Sequence, residues 1–159
     1  MAQNAKAYLL GFRLTFTSYL LLTYLITPMQ SPILETVYTI TDWYDGARAG
    51  IADFDGSPHY YECQWDDGNY DDFYRLTPIT NDILELALEN DAIYLRWRAA
   101  FDAGNATQDT HPVLPEERWR HEELQRILSK FLCIGSTNYI SATGEFEYGK
   151  NLVAWTVTT

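Results

Sequence analysis

Residues 36–65 read TVYTITDWY (36–44), DG (45–46), ARAGIADF (47–54), DGSP (55–58) and HYYECQW (59–65), three runs rich in β-branched and aromatic residues separated by Asp-Gly reversals. Asp-Gly between such runs is the strongest short-range hairpin signal, because a tight reversal needs positive φ and these two residue types tolerate it. The stretch therefore predicts a three-stranded antiparallel meander, and it is the one place where the sequence fixes which side chains share a face. On the third strand the period of two groups His59, Tyr61, Cys63 and Trp65 against Tyr60, Glu62 and Gln64. The first group is the more apolar and is expected to meet the helices.

Working outward, DDGNYDD (66–72) reads as an acidic loop, and FYRLTPI (73–79) as a fourth strand stopped by Pro78. Thr80 to Asp82 offers capping side chains and an early acid for a helix that runs to Gly104, a natural residue just past a helix end, with Asn90-Asp91 as a point of interruption. Pro115, Glu116 and Glu117 make the first turn of a second helix. Its buried stripe is Leu124, Ile127, Leu128, Phe131 and Leu132, with Cys133 behind it as a small core hydrophobe. YISATGEF (139–146) and NLVAWTVT (151–158), joined by EYGKN, form a carboxy-terminal hairpin. Strands, two helices, then strands give an α+β fold: an antiparallel sheet, made of a three- to four-stranded meander plus a hairpin, with two helices packed on one face.

Residues 35–159 are read as one such domain. Residues 1–34 form an extension with an apolar run at 14–26 behind Lys6 and Arg13. Three readings of it stay open: a start at Met29, which is favoured, a membrane anchor over residues 8–26, or a signal-like segment lacking a small-residue cleavage site.

A hydrophobic content of 47% with 15% aromatics excludes a disordered chain. The net charge of −11 excludes duplex nucleic acid as a partner, since phosphate contacts need clustered Lys and Arg. From Glu35 to Asp72 ten acids face one base, Arg48. That stretch reads first as a solvated face and second as a surface for a basic partner. Cys63 and Cys133 are too few and too far apart for a zinc knuckle or a redox pair, so reduced thiols and a cytoplasmic protein are expected. His59 and Cys63 lie about 13 Å apart along a strand at ~3.3 Å per residue, too far to share an ion, so a zinc site drawing on His59, His111 and His121 would have to be assembled from distant segments. Asp67, Asn69 and Asp71 match the first, third and fifth positions of a calcium loop, but Asp72 and Pro78 stand at the sixth and twelfth, where its Gly and Glu belong. No metal and no cofactor is implied.

The pattern Tyr44-Asp45-Gly46-Ala47-Arg48-Ala49-Gly50-Ile51-Ala52, followed by Gly56-Ser57-Pro58-His59, resembles a group of small uncharacterised bacterial proteins with a Y-D-G-x-R-x-G-x-A … G-x-P-H signature. Leu95-Arg96-Trp97 and Thr107 to Pro112 extend the likeness, which covers Val37 to Phe146. Ala47 departs from it, a Pro being usual there. The resemblance implies a compact cytosolic domain and no particular reaction.

No nucleophile elbow or nucleotide loop is present. The candidate binding residues are Arg48 and His59, as a polar mouth beside the turns, with Tyr61, and Arg96, Trp97 and His111 near the helix ends. Glu62, Glu117 and Arg120 are the acid–base candidates. Each has a structural alternative: a histidine satisfied by a carbonyl, a Trp in the core, arginines at the rim of a core. The expected function is a noncatalytic binding module, using a groove between sheet and helices or its acidic surface, for a protein or small ligand. The alternatives are a small hydrolase using Arg48 and His59, and an acidic decoy for a basic partner.

Overall fold

Both reversals are where the backbone enters positive φ: Asp45 lies at 55° and Gly46 at 144°, Asp55 at 51° and Gly56 at 67°. They separate β1 (Leu34–Trp43), β2 (Ala47–Phe54) and β3 (Ser57–Asp66) in a computed structural model that describes residues 32–66, 69–133 and 138–158. Phe54 pairs with Ser57 across Asp55-Gly56, the two-residue loop whose double positive φ matches the twist of the flanking strands. Pro58, read from sequence as part of the turn, pairs with Asp53 at the start of β3.

The fourth strand, β4 (Asn69–Pro78), begins inside the segment expected to be an acidic loop, with Asn69 paired to Asp66. Ladder bonds use main-chain groups, so acidic side chains at a hairpin end do not stop them. The calcium-like positions Asp67, Asn69 and Asp71 carry side chains outside those described. The first helix, α1 (Asn81–Asp102), starts where Thr80 Oγ1 accepts the Ile83 amide at 3.4 Å and ends before Gly104, whose φ is 74°. Asn90-Asp91 does not break it. A tight turn at Pro115–Glu117 leads into α2 (Arg118–Leu128). That helix is shorter than its stripe suggested: Leu124 and Leu128 are buried, Phe131 is exposed, and Cys133 is exposed rather than core. The chain closes with β5 (Ile140–Glu147) and β6 (Leu152–Val157), joined through Asn151 at φ 54°.

The sheet is not open. Strand β6 pairs with β5 on one side and with β1 on the other, through Leu34–Ala154, Glu35–Val153 and Thr36–Leu152, so six antiparallel strands form a closed barrel. Closure leaves no unpaired edge. Four rings occupy the interior, Tyr61, Tyr74, Phe146 and Trp155, and every pair of them lies 5.5 to 5.9 Å apart between centroids. Glycines opposite two of these rings make the room. A Cβ on Gly50, the partner of Tyr61, would lie 2.1 Å from the Thr39 carbonyl oxygen; one on Gly144, the partner of Trp155, would lie 2.6 Å from the indole.

This arrangement reverses the expected facing of β3. Tyr61 and Cys63 point into the barrel, and the helices cover the other side of the wall, where Ile51 joins Ile83, Ala87, Ile93, Val113, Leu124 and Leu128 in a second apolar cluster. Both faces of β2 and β3 are therefore buried, and the more apolar face went inside.

The chain divides into two units, Met1–Ser31 and Pro32–Thr159. The apolar run at 14–26 belongs to the first, outside the described residues. No helix among the described residues is long and apolar enough to cross a membrane.

Candidate functional site

A cleft of about 600 Å³ separates the outer wall of the barrel from the helices. Its floor comes from Ile51 on β2, Tyr60 on β3, and the consecutive residues Thr39, Ile40 and Thr41 on β1. A regular strand would alternate these three between opposite faces. Here Ile40 packs against the cluster inside the barrel while Thr39 pairs with the outward-facing Ile51, and β1 shifts register on either side, between Val37 and Thr39 and between Ile40 and Asp42. Thr39 holds the distortion in place: its Oγ1 accepts the Ile51 amide at 3.1 Å and its carbonyl accepts the Tyr61 hydroxyl at 3.2 Å.

The helices supply the other wall by i, i+3, i+4, i+7 spacing. From α1 come Ala87, Asn90, Asp91 and Tyr94; from α2 come His121, Gln125 and Leu128, with Ser129 and Leu132 just beyond its end. Side-chain bridges fix the pair of helices. Arg120 reaches Glu89 with both Nε (2.7 Å) and Nη2 (2.6 Å) and Glu123 with Nη1 (2.6 Å), while Arg96 Nε donates to Glu117 at 2.9 Å. Within the cleft, Asn90 Oδ1 lies 2.8 Å from His121 Nδ1. That bond places the proton of a neutral ring on Nδ1 and leaves a lone pair on Nε2.

Burial governs the titration of the polar groups. It lowers the His121 pKa below its ordinary 6.5, a shift that Glu122 opposes and Arg118 reinforces. It alone raises Asp91 above its ordinary 3.8, and Asp91 has no hydrogen-bond or ion-pair partner among the described residues. Tyr60 is held above its usual 10 by burial first and then by Glu62, to which its hydroxyl donates at 3.4 Å.

Of the candidate binding and acid–base residues, His111 alone lines the cleft, at its rim and 4.5 Å from the Trp97 ring, while His121, weighed from sequence only as a metal ligand, lines it too. Trp97 is buried behind it, its indole donating to Thr110 Oγ1 at 3.0 Å. Arg96 turns outward to Glu117, and Arg120 and Glu117, read as acid–base candidates, are members of the ion pairs above. Tyr61 is enclosed in the barrel. Arg48 and His59 do not share a mouth. Arg48 donates to the Tyr44 carbonyl at 2.7 Å and to Cys63 Sγ at 3.1 Å, near one end of β2, whereas His59 sits opposite Ala52 with Nδ1 2.8 Å from the Ser57 carbonyl. Four residues of strand, about 13 Å at ~3.3 Å each, part them. Among the described residues no three His, Cys, Asp or Glu side chains converge as a metal site.

The residues that sequence reasoning passed over are Tyr60, Tyr94, Gln125 and above all Asn90 and Asp91. The signal for the last two was present: poor helix formers stand in the middle of a strong helix without ending it, a conflict that functional positions often carry.

No protein-family model, curated protein or solved structure matches the chain.

Proposed function

We propose that the protein is a noncatalytic binding domain that holds a small molecule in the cleft between the barrel wall and the two helices. The observation that carries this reading is the cleft itself. A volume of about 600 Å³, apolar walls of Ile40, Ile51, Ala87, Leu128 and Leu132, and a few inward polar groups are the composition of a small-ligand site. The polar groups serve singly rather than as a relay. His121 is tied to Asn90, the Ser129 hydroxyl donates to the Arg126 carbonyl at 3.3 Å, and Asp91 stands alone. Separate donors and acceptors suit the orientation of a ligand at several points. The register that parts Arg48 from His59 argues against a hydrolase built on those two residues.

The test uses a position that is exposed on the cleft wall, Ser129, where a large side chain fills the cleft without entering the core. Small molecules that raise the melting temperature of the native chain are expected to lose that effect on Ser129→Trp, with the variant still folded by circular dichroism. Ligands that stabilise both chains equally bind elsewhere, and that outcome rejects the cleft as the site.

A further inference from the structure

Resting on the cleft as a ligand site, we infer that its ligand is an organic ammonium ion with an apolar tail, the charged head meeting Asp91 among the rings of Tyr60 and Tyr94 and the tail lying along Ile51 and Leu128.

Four observations converge on it. First, Asp91 lines the cleft half-buried and has no partner among the described residues. An ionised carboxylate withdrawn from water without a counter-charge is unfavourable, and a cation brought by the ligand removes that cost. Secondly, no Lys or Arg is among the residues lining the cleft. Arg118 is within reach of His121 from outside, but Glu122 acts on that ring more strongly and with opposite sign. Thirdly, further negative charge stands near the floor: Tyr60 feels both Glu62 and Asp42. Fourthly, the walls include Tyr60, Tyr94 and, at the rim, the exposed Trp43, and aromatic faces attract organic cations. An anionic ligand would meet a carboxylate and no Lys or Arg. A neutral one would leave Asp91 unpaired.

Three probes of equal tail length separate the possibilities: hexylammonium, 1-hexanol and hexanoate, titrated by calorimetry at millimolar concentrations into the full chain, Asp91→Asn and Ser129→Trp. Hexylammonium is expected to bind the native chain about tenfold more tightly than hexanol, a difference of ~1.4 kcal/mol, and hexanoate more weakly than either. Asp91→Asn should bring hexylammonium down to the level of hexanol and leave hexanol unchanged; Ser129→Trp should abolish both. Equal affinity for hexanol and hexylammonium, or a preference that survives Asp91→Asn, overturns the ammonium inference while leaving the cleft as a binding site. Failure of every probe to bind the native chain, or binding that Ser129→Trp does not disturb, overturns the cleft reading and this inference with it.

Discussion

Gly50 has no room for a methyl group. Its missing Cβ is what allows Tyr61 to lie across it and donate to the Thr39 carbonyl, and a real Cβ would sit 2.1 Å from that oxygen. The obstacle is backbone, which cannot swing aside as a side-chain tip can. Gly50→Ala is therefore expected to cost roughly 3 kcal/mol or more, the upper end for overpacking, read as a fall in the urea midpoint. Asp91 carries an opposite kind of cost. Because burial raises its pKa above 3.8, the folded chain holds that proton more tightly than the unfolded chain does; the resulting stability is complete below 3.8 and is lost as pH rises through the raised value. Asp91→Asn should raise the melting temperature at neutral pH, with the gain shrinking as pH falls toward 3.8. His121 has the reverse dependence. Its lowered pKa makes its contribution complete above 6.5 and lost as pH falls from there through the lowered value, a decline that His121→Gln should flatten. A stabilising Asp91→Asn that weakens cation binding would be the trade expected of a functional carboxylate.

At the scale of elements, the bulged strand β1 shapes the floor on which the helices close the site. It shifts register on both sides of Thr39-Ile40, and Thr39 Oγ1 accepts the Ile51 amide across the sheet. Thr39→Val keeps the shape and removes that acceptor, leaving a buried N–H unsatisfied. We expect a loss of about 1–3 kcal/mol in thermal or urea unfolding, together with weaker ligand binding through a relaxed strand. The hairpins and helices around β1 were legible in the sequence because their signals are local: Asp55-Gly56 must reverse, Thr80 must cap, Gly104 must end a helix. The bulges were not, since they depend on Thr39 finding Ile51 across the sheet. The facing of β3 differs from the sequence expectation for a related reason. Tyr60 and Tyr61 are equally large, and in a barrel wall roofed by helices both sides are buried, so alternation distinguishes two faces without saying which is inside.

On the scale of the whole molecule, the closing pair β1–β6 joins segments from opposite ends of the described chain, Leu34–Thr36 with Leu152–Ala154, and no short-range pattern announces such a contact. That is why the same strands read as an open sheet. Closure has a direct signature. The Val37 amide donates to the Asn151 carbonyl at 2.8 Å, and amides along β1 and β6 should exchange with solvent as slowly as those of β3, which is flanked on both sides. Fast, edge-like exchange along β6 would show the barrel to be open. The site was less legible than the fold because its residues come from β1, β2, β3, α1 and α2 and from the loop at His111-Pro112, and no local pattern relates the strands to the helices. Arg48 and His59 attracted notice by their turns, and the register then placed them at different levels of the wall.

The most direct measurement is an amide and indole chemical-shift map of the labelled protein titrated with hexylammonium. Changes are expected at Thr39–Thr41, Asn90–Tyr94 and His121–Leu128, and at the Trp97 indole beside His111, while the Trp155 indole, which donates to the Asp53 carbonyl at 2.8 Å, stays fixed. Shifts centred on Trp155 and the barrel interior, with none along the helix-facing wall, would contradict the cleft as the working surface of this protein.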